Sequence, residues 1–388
     1  MLRDRLRALV ETSGIRRVHV LAWRDLADVE AGGSELHAAT VARHWAEAGV
    51  EVTMRTSYAQ GHPPAETRDG YRVIRRRGRY MVFPAAVVAE LRGLHGPRDA
   101  LVEIWNGVPF LSPLWARGPR VTWIHHVHRD MWRMVLEERL ARVGELLETR
   151  VLPPLYRRTP IITLSESSRR ELVDELGYRA ERVLVVPPGI DPRYRPGPDG
   201  RAPHPVVLAV GRLMPPKRFD ELIRIVAEVR RSVPDVELRI VGEGYEWNAL
   251  HELVAGLDLE GCVRFLGRVS DDELLTEYRS AWVLASASIA EGWGMTITEA
   301  AACGTPAVVT RITGHLDAVA DGTSGLLVDD RRSFVAALGA TLTDPTLRAR
   351  LSEGAIAHAA RFSWEATALH TFEPLAAQRR RRPHARPS

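Results

Sequence analysis

Short aliphatic and β-branched runs recur along the chain, each followed by a longer stretch whose apolar positions fall at helical spacing. In the first half, His19–Trp23, Val50–Arg55, Ala100–Ile104, Val121–Ile124 and Ile161–Leu164 read as buried strands. Strands that are apolar on both faces need helices on both, so the alternation predicts a parallel sheet. The pattern halts between Pro187 and Pro205, where 19 residues hold seven of the 25 prolines and three glycines. Such a segment cannot be helix or central strand. It resumes with Val206–Val210, Val236–Val241, Val263–Leu266, Trp282–Ala285, Ala307–Thr310 and Leu326–Val328, a second α/β unit. The fold class is therefore α/β with two doubly wound domains, and 388 residues suit two cores better than one. In sheets of this kind ligands bind beyond the carboxyl ends of the strands, which is where chemistry is to be sought.

Composition narrows the classes. Hydrophobic residues at 45% and charged residues at 26% exclude a mainly disordered, collagen-like or fibrous chain. No apolar run approaches the roughly 18 residues of a membrane span. The apolar run after Arg3, Asp4 and Arg5 is broken by Glu11 and Arg16, so no secretory signal forms and a cytoplasmic location is expected. Cys262 and Cys303 have apolar neighbours and no metal spacing; both read as core filler in a reducing compartment. Net charge is +4, yet of 53 basic residues only Lys217 is lysine. Arg75, Arg76, Arg77 and Arg79 form one basic cluster and Arg379–Arg382 another, in a tail expected to be disordered. Both read first as solvated surface and otherwise as contacts for an anionic acceptor or the inner face of a membrane, a peripheral attachment. Finger spacing and aromatic-interleaved basic strands are missing, which speaks against nucleic acid.

Three segments at strand ends carry candidate chemistry. Glu30-Ala31-Gly32-Gly33-Ser34-Glu35 precedes a helix whose buried face is expected at Leu36, Ala39, Val41 and Trp45. Gly32 and Gly33 admit close approach of a diphosphate or sugar to the helix N-terminus, or simply form a turn with Ser34 as cap. Gly211-Arg212 through Lys217 places a guanidinium and an ammonium in one turn, suited to phosphate. A purely surface position would have accepted arginine, as nearly all others here do, so Lys217 is assigned to a ligand. Glu291-Gly292-Trp293-Gly294-Met295-Thr296-Ile297-Thr298-Glu299 projects Glu291 from a loop and sets Glu299 in the next helix, with free amides near Met295 and Thr296.

The order Gly32-Gly33, Ser165-Glu166-Ser167, Pro188-Gly189-Ile190-Asp191, Gly211-Arg212 to Lys217, Phe265-Leu266-Gly267 and Glu291 to Glu299 resembles the GT-B retaining glycosyltransferases of family 4, over roughly residues 15–375. The resemblance implies two Rossmann-like domains facing across a cleft. Residues 1–190 would bind the acceptor, residues 191–362 the nucleotide-sugar, a helix over about 363–378 would return to the first domain, and 379–388 would be a basic tail. It further implies that Arg212 and Lys217 hold a diphosphate, that Glu291 contacts sugar hydroxyls, and that Glu299 binds ribose. Gly294, Met295 and Thr296 would offer amides to phosphate, the base would sit near Gly267 and Arg268, and His125, at the end of Val121–Ile124, would lie beside the transferred sugar. The implied reaction is transfer to a hydroxyl acceptor with retention, UDP-sugar standing ahead of GDP-mannose as donor. No Asp-x-Asp occurs in the sequence, and no metal or other cofactor is implied.

A sugar phosphorylase, a nucleotide-sugar epimerase or a non-catalytic sensor could use the same fold. His126, His128 and Asp130 resemble the H-x-H-x-D core of binuclear metallohydrolases, but Met131 stands where a further histidine belongs. Gly242-Glu243-Gly244 resembles a dinucleotide fingerprint that lacks its third glycine, at Trp247.

Overall fold

The computed structural model describes residues 1–128, 132, 134, 137–198 and 200–381. Among these the chain forms two units, Met1–Gly189 together with the chain from Ser363 on, and Ile190–Phe362.

The first unit is built on β1 (Arg17–Leu21), β2 (Glu51–Thr56), β3 (Ala65–Arg68), β4 (Tyr71–Arg75), β5 (Ala100–Trp105), β6 (Arg120–Ile124), β7 (Ile161–Thr163) and β8 (Val183–Val185). They lie in the order β3-β4-β2-β1-β5-β6-β7-β8, and only the β3–β4 pair is antiparallel. The expected strands are present with ends moved by one or two residues, whereas β3, β4 and β8 were not expected. The β3–β4 turn is Asp69-Gly70, both at positive φ, a two-residue hairpin. Helices Leu2–Ser13, Gly33–Glu47 and Trp364–Arg380 cover one face. There Val10, Val20, Val102, Val121, Phe372 and Leu375 share one core, and the Trp45 indole donates to Ala368 O at 2.8 Å. Leu36, expected in the buried face, is instead exposed; Ala39, Val41 and Trp45 are buried.

The chain leaves this unit through Pro188-Gly189. A Cβ at Gly189 would stand 2.1 Å from Trp364 N, so only glycine lets the outgoing strand pass the start of the returning helix. Between 187 and 205 the described residues form no helix and no strand longer than one bridge.

The second unit is a wholly parallel sheet of β9 (Val206–Val210), β10 (Glu237–Val241), β11 (Val263–Gly267), β12 (Val283–Ser286), β13 (Ala307–Thr310) and β14 (Gly325–Val328). The order β11-β10-β9-β12-β13-β14 reverses direction between β9 and β12. At that switch the loops leaving the carboxyl ends diverge and open a crevice.

Gly242-Glu243-Gly244 has a packing role. Cβ atoms at Gly242 and Gly244 would meet Gly211 O at 2.0 Å and Leu213 O at 2.2 Å, and Gly211 N and Leu213 N donate to Val241 and Glu243 carbonyls. The two glycines thus let the β10 loop lie flat on the β9 loop.

Candidate functional site

Three loops meet at the crevice. The β9 loop turns at Pro215-Pro216 and brings up Lys217, the β12 loop carries Ser288 and Glu291, and the β13 loop ends at His315. Ile289 N donates to Pro216 O at 3.0 Å and fixes the first two together. With the N-terminus of helix Met295–Ala302 they bound a cleft of about 320 Å³, counted to its open mouth.

Lys217 and Glu291 form an ion pair, ammonium to Oε1, with side chains 26% and 16% exposed. Ser288 Oγ donates to the same Oε1 at 3.1 Å, and Thr310 Oγ1 donates to Ser288 O. Burial pushes the Glu291 carboxyl up, but the Lys217 ammonium, His315 and the two hydrogen bonds outweigh it and hold it below the usual range. Glu291 is therefore ionised near neutrality, an acceptor for hydroxyls and no acid. Gly294 caps the helix at φ +97°, where a Cβ would also press on Ile297 Cδ1 at 2.7 Å. Gly294 and Thr296 line the cleft, and the first amides of the helix have no intrahelical acceptor, a setting that favours an anion.

His315, absent from the sequence reading, is wholly buried on the wall of this cleft. Its Nδ1 lies 2.9 Å from Thr310 O, which can only accept, so Nδ1 carries the proton. Burial lowers its pKa despite Glu291, leaving Nε2 as an acceptor with no partner among the described residues. The available signal was its place just beyond the carboxyl end of β13.

Five predicted residues are not on this wall, among them Met295, the first residue of the helix. Arg212 is half-buried in the same turn as Lys217 but does not line the cleft. Gly267 ends β11 and Arg268 follows it, beyond β10, with Gly267 O accepting from Gly242 N at 2.8 Å. Glu299 is 9% exposed and accepts at Oε2 from Tyr278 OH at 2.8 Å. Burial raises its carboxyl to about 7.

In the first unit Gly32 is the cap of helix Gly33–Glu47, and Gly32 N donates to Glu35 Oε2 at 2.8 Å. Ser34 is not the cap; its hydroxyl lies 3.1 Å from His125 Nδ1. His125 Nε2 in turn meets His37 Nδ1 at 3.1 Å, so both ring nitrogens are engaged. Burial, with His37 and His126 nearby, puts His125 well below the ordinary histidine range, and burial puts His37 at about 3. Both rings are neutral. Ser34, Arg24 and Asn106 line a smaller cleft of about 200 Å³. Trp105 packs instead on Tyr156, centroids 4.9 Å apart, and Glu103 is buried and accepts from Tyr156 OH at 2.7 Å.

The basic cluster at 75–79 is not an open cationic surface. Arg75 is fully buried and bonded to Asp25 and Glu66, and Arg79 pairs with Asp28 and Glu30. These arginines pin the loop after β1. Arg76 and Arg77 remain exposed. His128 is held by Glu148 at 3.2 Å, while Asp130 and Met131 lie outside the described residues. Among the described residues no three His, Cys, Asp or Glu side chains are placed to hold a metal. Cys262 and Cys303 are buried free thiols.

Family comparison agrees along the chain. Residues 31–194 match Glycosyltransferase Family 4, and residues 194–358 match Glycosyl transferases group 1. The D-inositol 3-phosphate glycosyltransferase of Nocardia farcinica is 32% identical over 397 residues, 90% of this chain and 85% of that protein. Its counterpart in Acidothermus cellulolyticus is 38% identical over 243 residues, a match spanning 57% of this chain and about half, 54%, of the relative. A GDP-mannose-dependent alpha-(1-6)-phosphatidylinositol monomannoside mannosyltransferase of Mycolicibacterium smegmatis is 31% identical over 314 residues, 74% of this chain and 79% of that protein. In fold, the chain is similar to sucrose-phosphate synthase of Thermosynechococcus elongatus, with TM-score 0.80 and 21% identity over 92% of this chain and 98% of that one.

Proposed function

Because the chain belongs to the group 1, family 4 glycosyltransferases of GT-B fold, we propose that it moves a sugar from a nucleoside diphosphate sugar to a hydroxyl acceptor with retention of anomeric configuration. The observation that carries this reading is the Lys217–Glu291 pair at the β9/β12 switch, beside the N-terminus of helix Met295–Ala302. A fixed cation and free amides suit a diphosphate, and an ionised carboxylate suits sugar hydroxyls. Arg212, Gly294, Met295 and Thr296 complete the diphosphate cradle in this assignment, Glu299 takes the ribose, and Gly267 and Arg268 take the base.

Cleavage of the anomeric C–O bond leaves negative charge on the departing phosphate oxygen, which Lys217 and the helix amides stabilise. The acceptor oxygen bonds to the anomeric carbon on the face the diphosphate leaves, and its proton passes to that leaving oxygen. No protein nucleophile takes part. Glu291 stays ionised and steadies the hydroxyl-bearing side of the oxocarbenium-like sugar. In the first unit, which we assign to the acceptor, neutral His125 is held between Ser34 and His37 and positions the Ser34 hydroxyl, which lines the smaller cleft. The donor base is uridine by the sequence-based preference or guanosine, which the Mycolicibacterium relative uses by name. The inositol phosphate shared by the relatives' names is the acceptor class we assign.

The test incubates the protein with UDP-glucose, UDP-N-acetylglucosamine or GDP-mannose plus D-inositol 3-phosphate, with and without EDTA, and reads products by NMR. An α-glycoside formed from an α-linked donor, unaffected by EDTA, is expected. Phosphate-dependent cleavage, an epimerised donor, or binding without turnover would replace the reading with a phosphorylase, an epimerase or a sensor.

A further inference from the structure

At the carboxyl ends of β2 and β4 the first unit carries positive charge that no described carboxylate neutralises. Arg55 is 2% exposed, and its guanidinium donates to the carbonyls of Thr56, Ile74 and Arg76. Among the described residues its Nε has no acceptor. Burial, with Arg76 and Arg77 beside it, pushes Arg55 down to about 10, so it is still charged at neutral pH. Arg76 and Arg77 are exposed and likewise form no ion pair among the described residues. Their neighbours differ: Arg24, Arg68, Arg75 and Arg79 each hold a carboxylate within 3.1 Å. Arg77 also stands at φ +71°, a left-handed backbone that disfavours any residue with a Cβ, although glycine is only one position away at Gly78. Its carbonyl accepts from Tyr58 N at 2.7 Å, which ties it to the β2 loop.

We infer that Arg76 and Arg77, backed by buried Arg55, bind the phosphate of a phosphorylated acceptor. The inference rests on the assignment of the first unit to the acceptor and adds where that acceptor's charge is read. Two exposed arginines alone would be solvated surface, but an uncompensated guanidinium behind them is costly and is relieved by an anion from outside the chain. Guanidinium groups meet phosphate bidentately. The smaller cleft holds no spare cation for this, since its Arg24 is taken up by Glu30 and Glu35. It offers Ser34 and Asn106, which suit the hydroxyls of a polyol ring. Cleft and arginines share one layer of loops, for β2 lies beside β1 and β4 beside β2, about 5 Å per strand. Ser57 N donates to Trp23 O at 3.0 Å and the Trp23 indole donates to Arg79 O at 2.9 Å. Trp23 lines the cleft, so the β2 and β4 loops are fastened to its edge. A ring seated there carries its phosphate toward the arginines.

The experiment is calorimetric titration of the full chain at low salt with D-inositol 3-phosphate, unphosphorylated inositol and inorganic phosphate. The parent protein should bind the ester at least about tenfold more tightly than inositol, and phosphate alone should compete with the ester. Arg76→Gln/Arg77→Gln should weaken the ester by about tenfold or more, leave inositol unchanged and abolish the competition by phosphate. Both side chains are exposed, so thermal unfolding of the variant should match the parent. Titrations with UDP and GDP should also be unchanged, which separates this site from the donor cleft. Phosphate binding that the variant loses, without binding of the ester, would uphold the site and remove inositol phosphate as the acceptor. Three results overturn the inference: binding of neither phosphate nor ester by the parent protein, equal binding of ester and inositol, or a variant that binds the ester as the parent does.

Discussion

Glu291→Gln separates the two jobs assigned to the cleft. The substitution keeps the shape and the hydrogen bond from Ser288 but removes the charge facing Lys217. A diphosphate on the far side of the ammonium would lie about 6 Å from the carboxylate, a repulsion of about 3 kcal/mol at an effective dielectric near 20. Solvent at this partly exposed pair reduces that figure, so loss of the charge should leave nucleoside diphosphate affinity unchanged or tighten it by up to about tenfold. Turnover should move the other way. A charge-assisted hydrogen bond to a sugar hydroxyl is worth about 1.5–3 kcal/mol, or roughly 10- to 150-fold in kcat/KM. Calorimetry with the diphosphate and initial-rate kinetics with the sugar donor read the two quantities on one preparation. Diphosphate binding that weakens in step with kcat/KM would refute the division of labour and leave Glu291 a structural support of Lys217.

Glu299→Gln tests the buried carboxyl. In the fold it titrates at about 7 against an ordinary 4.5, so the folded state holds its proton more tightly than the unfolded chain. Stability therefore falls as pH rises from about 4.5 to about 7 and levels off above, by up to about 3 kcal/mol. The glutamine variant should lose most of that fall between pH 5 and 8 in thermal melts; parallel curves would contradict the assignment. Arg75→Met leaves buried Asp25 with Arg68, 3.9 Å away, as its remaining counter-charge and should cost about 3 kcal/mol in urea unfolding, whereas Arg76→Gln should cost less than about 0.5 kcal/mol. Equal effects would mean the 75–79 cluster is surface after all. Gly189→Ala forces Trp364 N from a 2.1 Å contact and should lower the melting temperature, with a cost of about 2 kcal/mol or more. A neutral result would show that the returning helix tolerates displacement.

Much of the architecture was legible because buried parallel strands are apolar on both faces. Val206–Val210 and Ala307–Thr310 needed no adjustment at either end. The hairpin β3–β4 was missed although Asp69-Gly70 signals it, because the arginines of β4 suggested surface while Arg75 is neutralised inside by Asp25 and Glu66. A charge run shows valence, not the partners that arrive from fifty residues away. Within the site, Lys217 was readable from composition alone and Glu291 from its glycine-flanked loop. His315, Ser288 and His37 were not, since each owes its place to a loop or helix turn meeting another strand's end. Among the motif residues, Ser165 proves to be a helix cap, accepting from Ser168 N at 3.1 Å, and Gly189 a packing requirement. Order along the chain identified the family more securely than it identified the role of each residue.

Titration of the purified protein with UDP, GDP and ADP, repeated on Lys217→Ala, bears most directly on the claim that a diphosphate is gripped at the β9 loop. One of the three should bind in the micromolar range, and removal of the ammonium should weaken it by roughly 1.5–3 kcal/mol. An unchanged dissociation constant in the variant, or no binding of any of the three by the parent protein, would contradict it.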